Sequence, residues 1–259
     1  MNIADLLPER YKNINIEEHE TIGSTNDRAL ELGKEGAGEI TVVTALSQTA
    51  GKGRRGRSFY SPKGTGVYLS FLLRPECSAE DAQRLTTIAA VAAAGAVKEV
   101  SGYEAGIKWV NDVYVHGKKV CGILTEARLK AGSCITDYVV CGIGFNVKEP
   151  EGGFPDEIGD VAGAIFRHGD NADEDVCQKL TCAFIARFLD IYAAWPSKEY
   201  IKEYRRLSFL LGQRVHTLSE PKICGIAEDI DDDGHLMLRT DAGNMVCLDS
   251  GEVSVRIDD

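Results

Sequence analysis

Residues 48–70 read QTAGKGRRGRSFYSPKGTGVYLS, and inside them GKGRRG (51–56) satisfies two phosphate-binding patterns at once. It spells G-x-G-x-x-G, and extended to Ser58 it is one Lys-to-Arg change from G-x-x-x-x-G-K-[ST]. In a dinucleotide fold such glycines close a strand-to-helix turn that leaves a pyrophosphate on the helix N-terminus. Here RSFYSPKGTG follows, and Pro62, Gly64 and Gly66 do not suit a helix interior. The P-loop needs the same helix, plus a lysine where this chain has Arg57. Neither fold is predicted. What remains is a cationic loop, with Lys52, Arg54, Arg55, Arg57 and Lys63 inside 12 residues, among Gly51, Gly53, Gly56 and Gly64. A solvated basic loop is one reading of such a charge run. Glycine costs ordering entropy, however, so four of them fit better a loop that closes over an anionic ligand and reopens.

Outward from this loop the chain alternates helices and strands. STNDRALELGKEG, from Ser24, carries a capping residue, apolar positions at helical spacing and closing glycines, which predicts a short helix. EITVVTALS and VYLSFLLR read as strands, residues 79–100 as an Ala-rich helix, and IKWV and VYVHGKKVCGILTEA as strands with a turn at His116-Gly117. YVVCGIGFNV is another apolar strand, and EPEGGFPDEIGD a surface connection. Val176, Leu180, Phe184, Phe188 and Ile191 mark an amphipathic helix, and a second is predicted from Trp195-Pro196 to about Phe209. From Gly212 the segments QRVHTLS, KICGIAED, DDDGHLMLRT, DAGNMVCLD and EVSVR suggest a small β-barrel. A boundary near Leu211 divides the chain into 1–211 and 212–259.

The bulk numbers restrict the partners. Of 259 residues 44% are hydrophobic and 27% charged, the balance of an ordinary globular protein. Twenty-nine basic against 40 acidic residues leave a net charge of −11, which argues against nucleic acid or an anionic membrane as general partner. An anion site must be local. MNIADLLPERYKN lacks the n- and h-regions of a secretory signal, and TIAAVAAAGAV is shorter than the roughly 20 residues of a membrane span. The eight cysteines (Cys77, Cys121, Cys134, Cys141, Cys177, Cys182, Cys224 and Cys247) form no C-x-x-C pair, so reduced core residues are expected rather than a metal site, and the cytoplasm as compartment.

Four stretches taken together resemble the biotin protein ligase family: STN (24–26), QTAGKGRRGRSFYSPKGTGVYLS (48–70), KWVNDVYVHGKKVCGIL (108–124) and GIGFN (142–146). Their order and spacing match, and the terminal barrel with its closing GEVSVR fits as well. The resemblance implies an α+β catalytic domain related to class II aminoacyl-tRNA synthetases, a mixed β-sheet with helices on one side, followed by an SH3-like barrel. It implies a reaction in which biotin and ATP, with Mg²⁺, give biotinyl-5′-AMP and pyrophosphate, after which biotin passes to a lysine of a biotin carboxyl carrier protein. Lys52, Val110 and Phe59 stand where the family usually has Arg, Pro and Trp. Lys52 keeps the charge without the bidentate fork, Val110 removes a rigid kink, and Phe59 removes an indole N–H.

Coupling a carboxylate to a triphosphate brings two anions together, so positioning and charge neutralisation are the first demands. By the resemblance, Gly51, Lys52, Gly53, Arg54, Arg57 and Phe59 belong to the ligand-covering loop, with Arg54 and Lys52 clamping carboxylate and phosphate. Lys119 is expected at the reacting carboxylate or α-phosphate, and Lys108 at the phosphates. Asp112 is the candidate support for Mg²⁺, for the accepting lysine's amine, or for both; Asn111 and Asp112 are equally good turn-formers. Trp109 reads as a packed wall that can also touch the adenine. Ser24, Thr25 and Gln48, together with Asn26, offer neutral hydrogen-bonding groups for a ureido ring, although Ser24 and Thr25 also suit a helix cap. Gly122, Gly142 and Gly144 admit a ligand close to the backbone, and Asn146 closes GIGFN. Glu252 and Arg256 match positions that the family associates with ATP or acceptor engagement; a strand-end ion pair is the plain alternative.

STN begins at residue 24, so the short form without an N-terminal DNA-reading domain is expected, with no specific DNA binding and no repressor activity. A homodimer through paired edge strands accords with the resemblance. The nearest rival is a lipoate ligase or lipoyl/octanoyl transferase, distinguished by GRRGR, KWVND and KKVCGIL where the lipoate family carries RR-x-SGGG. A single-strand nucleic-acid binder is disfavoured, because such proteins need aromatic platforms and residues 212–259 contain no Phe, Tyr or Trp.

Overall fold

The computed structural model describes residues 3–218, 220–249 and 255–257. Its centre is a seven-stranded mixed sheet, ordered β1-β2-β3-β7-β6-β5-β4. The strands are β1 (Asn15–His19), β2 (Thr41–Ala45), β3 (Gly66–Leu73), β4 (Gly106–Lys108), β5 (Asp112–Val115), β6 (Lys118–Leu129) and β7 (Thr136–Asn146). β1 runs parallel to β2 and every other pairing is antiparallel. The β5–β6 turn is His116-Gly117, as expected, with φ of 53° and 74°, the left-handed pair that a tight hairpin requires.

Side chains alternate across this sheet with period two. Val67, Leu69, Phe71 and Leu73 of β3, Cys121 and Ile123 of β6, and Val139, Cys141, Ile143 and Phe145 of β7 all enter the main core. Two helices cover them, α3 (Ala79–Ser101) and α5 (Val176–Tyr192), with α6 (Ile201–Leu207) packed against α3. α3 opens on Ser78, whose Oγ accepts from Asp81 N at 3.0 Å, and closes on left-handed Gly102. Its buried alanines bring the helix close to the sheet. Phe71 stacks on Phe188 at 4.3 Å, and Phe145 meets Phe184 edge-on at 5.4 Å, each pair adding about 0.5–1.5 kcal/mol beyond area burial.

The intervening residues of the same strands face the other way. Tyr68, Ser70 and Leu72 lie opposite Gly144, Gly142 and Val140. α2 (Thr25–Lys34) packs on this second face through Ala29, Leu30 and Leu32, against Val43, Leu72, Tyr138 and Val140. Helices therefore flank the sheet on both sides, a correction to the one-sided arrangement expected, and α2 covers only part of its face. The exposed remainder is where ligands can enter.

Two short helices, α1 (Ile3–Leu6) and α4 (Asp156–Gly159), and β1 lie in stretches that gave no strong periodicity. The helix after Trp195-Pro196 is shorter than expected, ending at Leu207 before Phe209. Beyond it β8 (Arg214–Thr217), β9 (Cys224–Ile230), β10 (Leu236–Thr240), β11 (Met245–Leu248) and β12 (Val255–Ile257) make an antiparallel sheet ordered β11-β10-β9-β8-β12. It is anchored by Trp109, whose Nε1 donates to Gly234 O at 2.9 Å, and by Arg205, which donates to Ile230 O. Glu252 lies outside the described residues. All eight cysteines are free, but Cys134 and Cys247 are exposed rather than in the core, and Cys247 neighbours the paired Asp231 and His235. Among the described residues no helix is long and apolar enough to cross a membrane.

Candidate active site

The glycines of GIGFN and KKVCGIL mark the uncovered part of the second sheet face. Gly122 and Gly144 are register partners, and Gly142 sits between Ser70 and Leu124. These positions are built for close approach. A Cβ on Gly142 would lie 1.8 Å from Asn26 Oδ1, and one on Gly144 2.5 Å from the Phe59 ring.

Over this floor stands the N-terminus of α2. Ser24 occupies the N-cap position, yet its side chain makes no capping bond; it is 3% exposed and Oγ has no partner. An unpartnered buried hydroxyl is costly unless a ligand completes it. Thr25 N donates to Gln48 Oε1 at 2.9 Å, while Gln48 Nε2 donates to Ser61 Oγ at 3.0 Å. Gln48 is thereby fixed in one amide orientation. Asn26 Nδ2 donates to Glu126 Oε2 at 3.0 Å, and Asn26 Oδ1 accepts from Ser70 Oγ at 2.6 Å.

The glycine-rich loop forms the roof. Phe59 N donates to Gly51 O at 2.8 Å and Gly53 N to Arg57 O at 2.7 Å, around a 3-10 turn at Arg54–Gly56 in which Arg55 and Gly56 have φ of 59° and 73°. Gly51 is structural: a Cβ there would meet Phe59 O at 2.5 Å. The cations of the loop divide between two tasks. Lys52 and Lys63 form ion pairs with Asp27 and Glu20, holding the loop down, whereas Arg54 points inward, its Nη1 donating to Asn111 Oδ1 at 3.1 Å. Burial lowers the pKa of Arg54, so a bound anion there replaces lost hydration.

Beneath Arg54, Lys119 Nζ lies 2.6 Å from Asp112 Oδ1, both side chains about a quarter exposed. Asn111 is locked by Nδ2 donating to Ile123 O at 3.1 Å and by its own carbonyl accepting from Ile123 N at 3.0 Å. Asn111 and Asp112 are thus inward-facing, more than a turn. Lys108 is the register partner of Asp112 and lines a neighbouring groove with Tyr114 and Arg256. Burial lowers its pKa, with Arg256 and Lys119 adding to the effect and Asp112 opposing it.

Two cavities share this machinery. The first is lined by Ser24, Thr25, Asn26, Gln48, Lys52, Gly122, Gly142 and Gly144, with Leu124 as apolar wall. The second is lined by Arg55, Arg57, Tyr60, Asp112, Asn146 and Arg256. Gly53, Arg54, Phe59, Asn111 and Lys119 border both. A pocket whose one separate cation, Lys52, is paired with Asp27 thus meets a cationic one at two fixed positive charges, the arrangement needed to join an acid to a polyphosphate.

Trp109 is a packed residue, as the sequence reading expected. It borders neither cavity; it is 4% exposed and committed to Gly234 of the C-terminal sheet. The Trp109–Val110 peptide bond is cis, and the Val110 carbonyl accepts from Tyr204 Oη at 2.9 Å. Sequence reasoning missed Ser70, Ser61, Tyr60 and Glu126. The alternation Gly122, Leu124, Glu126 in one strand was the available signal for the last.

Comparison with known proteins follows the same outline. The family model described as Biotin/lipoate A/B protein ligase family matches residues 19–146, and Biotin protein ligase C terminal domain matches 210–256. A bifunctional ligase/repressor BirA from Bacillus subtilis is 37% identical over 229 residues, covering 87% of this chain and 69% of its own length. A biotin–[acetyl-CoA-carboxylase] ligase from Mycobacterium tuberculosis is 31% identical, covering 89% and 85%. A biotin protein ligase from Aquifex aeolicus, solved in complex with biotin and ATP, superposes with a TM-score of 0.75 at 29% identity, over 94% of this chain and 99% of that one.

Proposed function

We propose, from the premise that this chain belongs to the biotin protein ligase family and is a ligase, that it activates biotin with ATP as biotinyl-5′-AMP and transfers it to a lysine of a biotin carboxyl carrier domain. The observation that carries this reading is the junction at Arg54 and Lys119, where the neutral and cationic cavities meet. Biotin's ureido ring suits the first cavity, where Ser24, Thr25 and Gln48 supply neutral donors and acceptors; its carboxylate then reaches the junction. The triphosphate suits the second, beside Arg57 and Arg256.

In the first step a carboxylate oxygen bonds to the α-phosphorus as the bond to pyrophosphate breaks. Arg54 and Lys119 reduce the repulsion between the reacting anions and bind the charge that builds on the α-phosphate oxygens. Asp112 holds Lys119 in place. Because that carboxylate is already engaged by an ammonium and has cations around it, Mg²⁺ is assigned to the substrate as Mg·ATP, carried by phosphate oxygens, and not to a protein cage. In the second step the acceptor amine attacks the acyl carbon, AMP departs, and the amine's proton goes to Asp112 or to water. The glycine loop keeps water from the mixed anhydride between the steps.

Biotin-dependent exchange between ATP and pyrophosphate, with lipoate as competitor, tests the reading. Exchange with biotin alone supports it, and equal or greater exchange with lipoate overturns it. Arg54→Gly is expected still to make the adenylate, more slowly and through Lys119, but to release it, so that lysines on bystander proteins are biotinylated; unchanged retention removes Arg54 from the clamp.

A further inference from the structure

We propose that Asp231, His235 and Cys247 form a binding site for a divalent transition metal of the zinc class on the C-terminal sheet, and that the bound ion clamps the turn to which Trp109 is anchored.

The strand pattern brings these residues together. Asp231–His235 is the turn between β9 and β10, closed by Asp231 N donating to His235 O at 3.0 Å and Gly234 N to Asp231 O at 3.2 Å. Beside it β11 pairs with β10 in a register that sets Leu236 opposite Leu248 and Met237 opposite Cys247. Leu236 and Leu248 are buried, so His235, Met237 and Cys247 share the outer face. A carboxylate oxygen of Asp231, a ring nitrogen of His235 and the Cys247 sulfur all lie within 4.8 Å of one another. Two of the three donors are fixed by the turn itself. Asp231 Oδ1 accepts from the backbone N–H groups of Asp233 and His235, each at 2.9 Å, and Oδ2 meets His235 Nδ1 at 2.8 Å. Neighbouring acids are engaged elsewhere: Asp229 and Asp232 pair with Arg205 and Asp233 with Lys198, while Asp231 turns toward His235.

The donor set names the ion. Mg²⁺ and Ca²⁺ take oxygen ligands, whereas a thiolate, an imidazole and a carboxylate together suit zinc and its neighbours. In a tetrahedral zinc site the bond lengths place donor atoms about 3.3–3.6 Å apart, so a shift of about 1 Å brings the three into range. Cys247 is exposed and its side chain can make that shift. Ligation replaces the thiol proton by a sulfur–metal bond and releases the proton to water, which also fills the fourth position. None of the three residues borders the cavities at Arg54 and Lys119, so the site is separate from that of Mg·ATP. Its consequence is mechanical. Gly234, between two of the ligands in sequence, carries the carbonyl that accepts from Trp109 Nε1. An ion that ties this turn to β11 stabilises the anchor of the C-terminal sheet.

Titration of the chelator-treated full chain with Zn²⁺, and separately with Co²⁺, tests this. One ion per chain is expected, with micromolar or tighter affinity, a thiolate-to-cobalt charge-transfer band in the near ultraviolet, and a rise in Tm at saturating Zn²⁺. Cys247→Ser, a change at an exposed position, should lose the band and weaken Zn²⁺ binding by about a hundredfold or more. Asp231→Asn keeps an oxygen for the two backbone N–H groups and so preserves the turn; it and His235→Gln should each weaken binding by about tenfold or more. Cys134→Ser, at the other exposed cysteine, should leave band and affinity as in the wild type. No band in the wild type, a band that survives in Cys247→Ser or disappears in Cys134→Ser, or unchanged affinity in Asp231→Asn and His235→Gln would each overturn the site. Stoichiometric binding without a rise in Tm would overturn the clamp.

Discussion

Lys119 is the residue on which the proposed coupling depends most locally. Its ammonium lies 2.6 Å from Asp112 and borders both cavities. Lys119→Ala removes one of two charges at the reacting centre, and biotin-dependent pyrophosphate exchange is expected to drop by about a hundredfold to a thousandfold, the scale of losing one oxyanion donor. Near-normal exchange would take Lys119 out of the mechanism. Lys108 gives a pH signature. Burial depresses its pKa in the free protein, and a polyphosphate bound nearby raises it again. Binding then takes up a proton above the free-state value, so nucleotide affinity is level near neutrality and falls as pH rises through the alkaline range below the ordinary lysine value. Calorimetry in buffers of differing ionisation enthalpy should detect that uptake in the wild type and lose it in Lys108→Arg, which stays charged; equal uptake in both refutes it.

At the scale of elements, the site depends on a strand that alternates between packing and emptiness. Gly142→Ala would drive Asn26 from the floor, since the new methyl lies 1.8 Å from its Oδ1. The expected cost is about 1–3 kcal/mol in stability and a tenfold to hundredfold loss of biotin affinity, read by urea denaturation and titration. Wild-type affinity in a folded Gly142→Ala protein would contradict the close-approach argument. The roof of the site was legible because its signals are local: glycines with positive φ, clustered cations and a proline that forbids a helix. The floor was half legible. GIGFN showed that a ligand could approach, but Ser70 is a hydroxyl inside the apolar run VYLSFLLR, and Asn26 meets Glu126 a hundred residues away. Such pairs exist only once the register between β3, β6 and β7 is set. Trp109 was legible as a packed residue, but its partner Gly234, in the turn between β9 and β10, was not, because that contact spans 125 residues.

The whole molecule ties the two sheets together where the chain runs past the site. Trp109 Nε1 donates to Gly234 O, and Tyr204 Oη, fully buried, donates to the Val110 carbonyl one residue on. Trp109→Phe leaves the Gly234 carbonyl without that donor, an expected loss of about 1–3 kcal/mol that lowers Tm by about 2–4 °C per kcal/mol. Pyrophosphate exchange, measured where the variant is folded, should stay within about threefold; a thermal transition like that of the wild type would mean that Trp109 does not hold the sheets. On the proposed reading, the two cavities that meet at Arg54 and Lys119 let an acid and a nucleotide be coupled there and the product be kept. Incubation with biotin and Mg·ATP, followed by gel filtration and mass analysis of the released ligand, tests it most directly. Biotinyl-5′-AMP should elute with the protein in stoichiometric amount and form much less in Lys119→Ala. Biotin and ATP recovered unreacted, or an adenylate formed equally well without Lys119, would contradict the account.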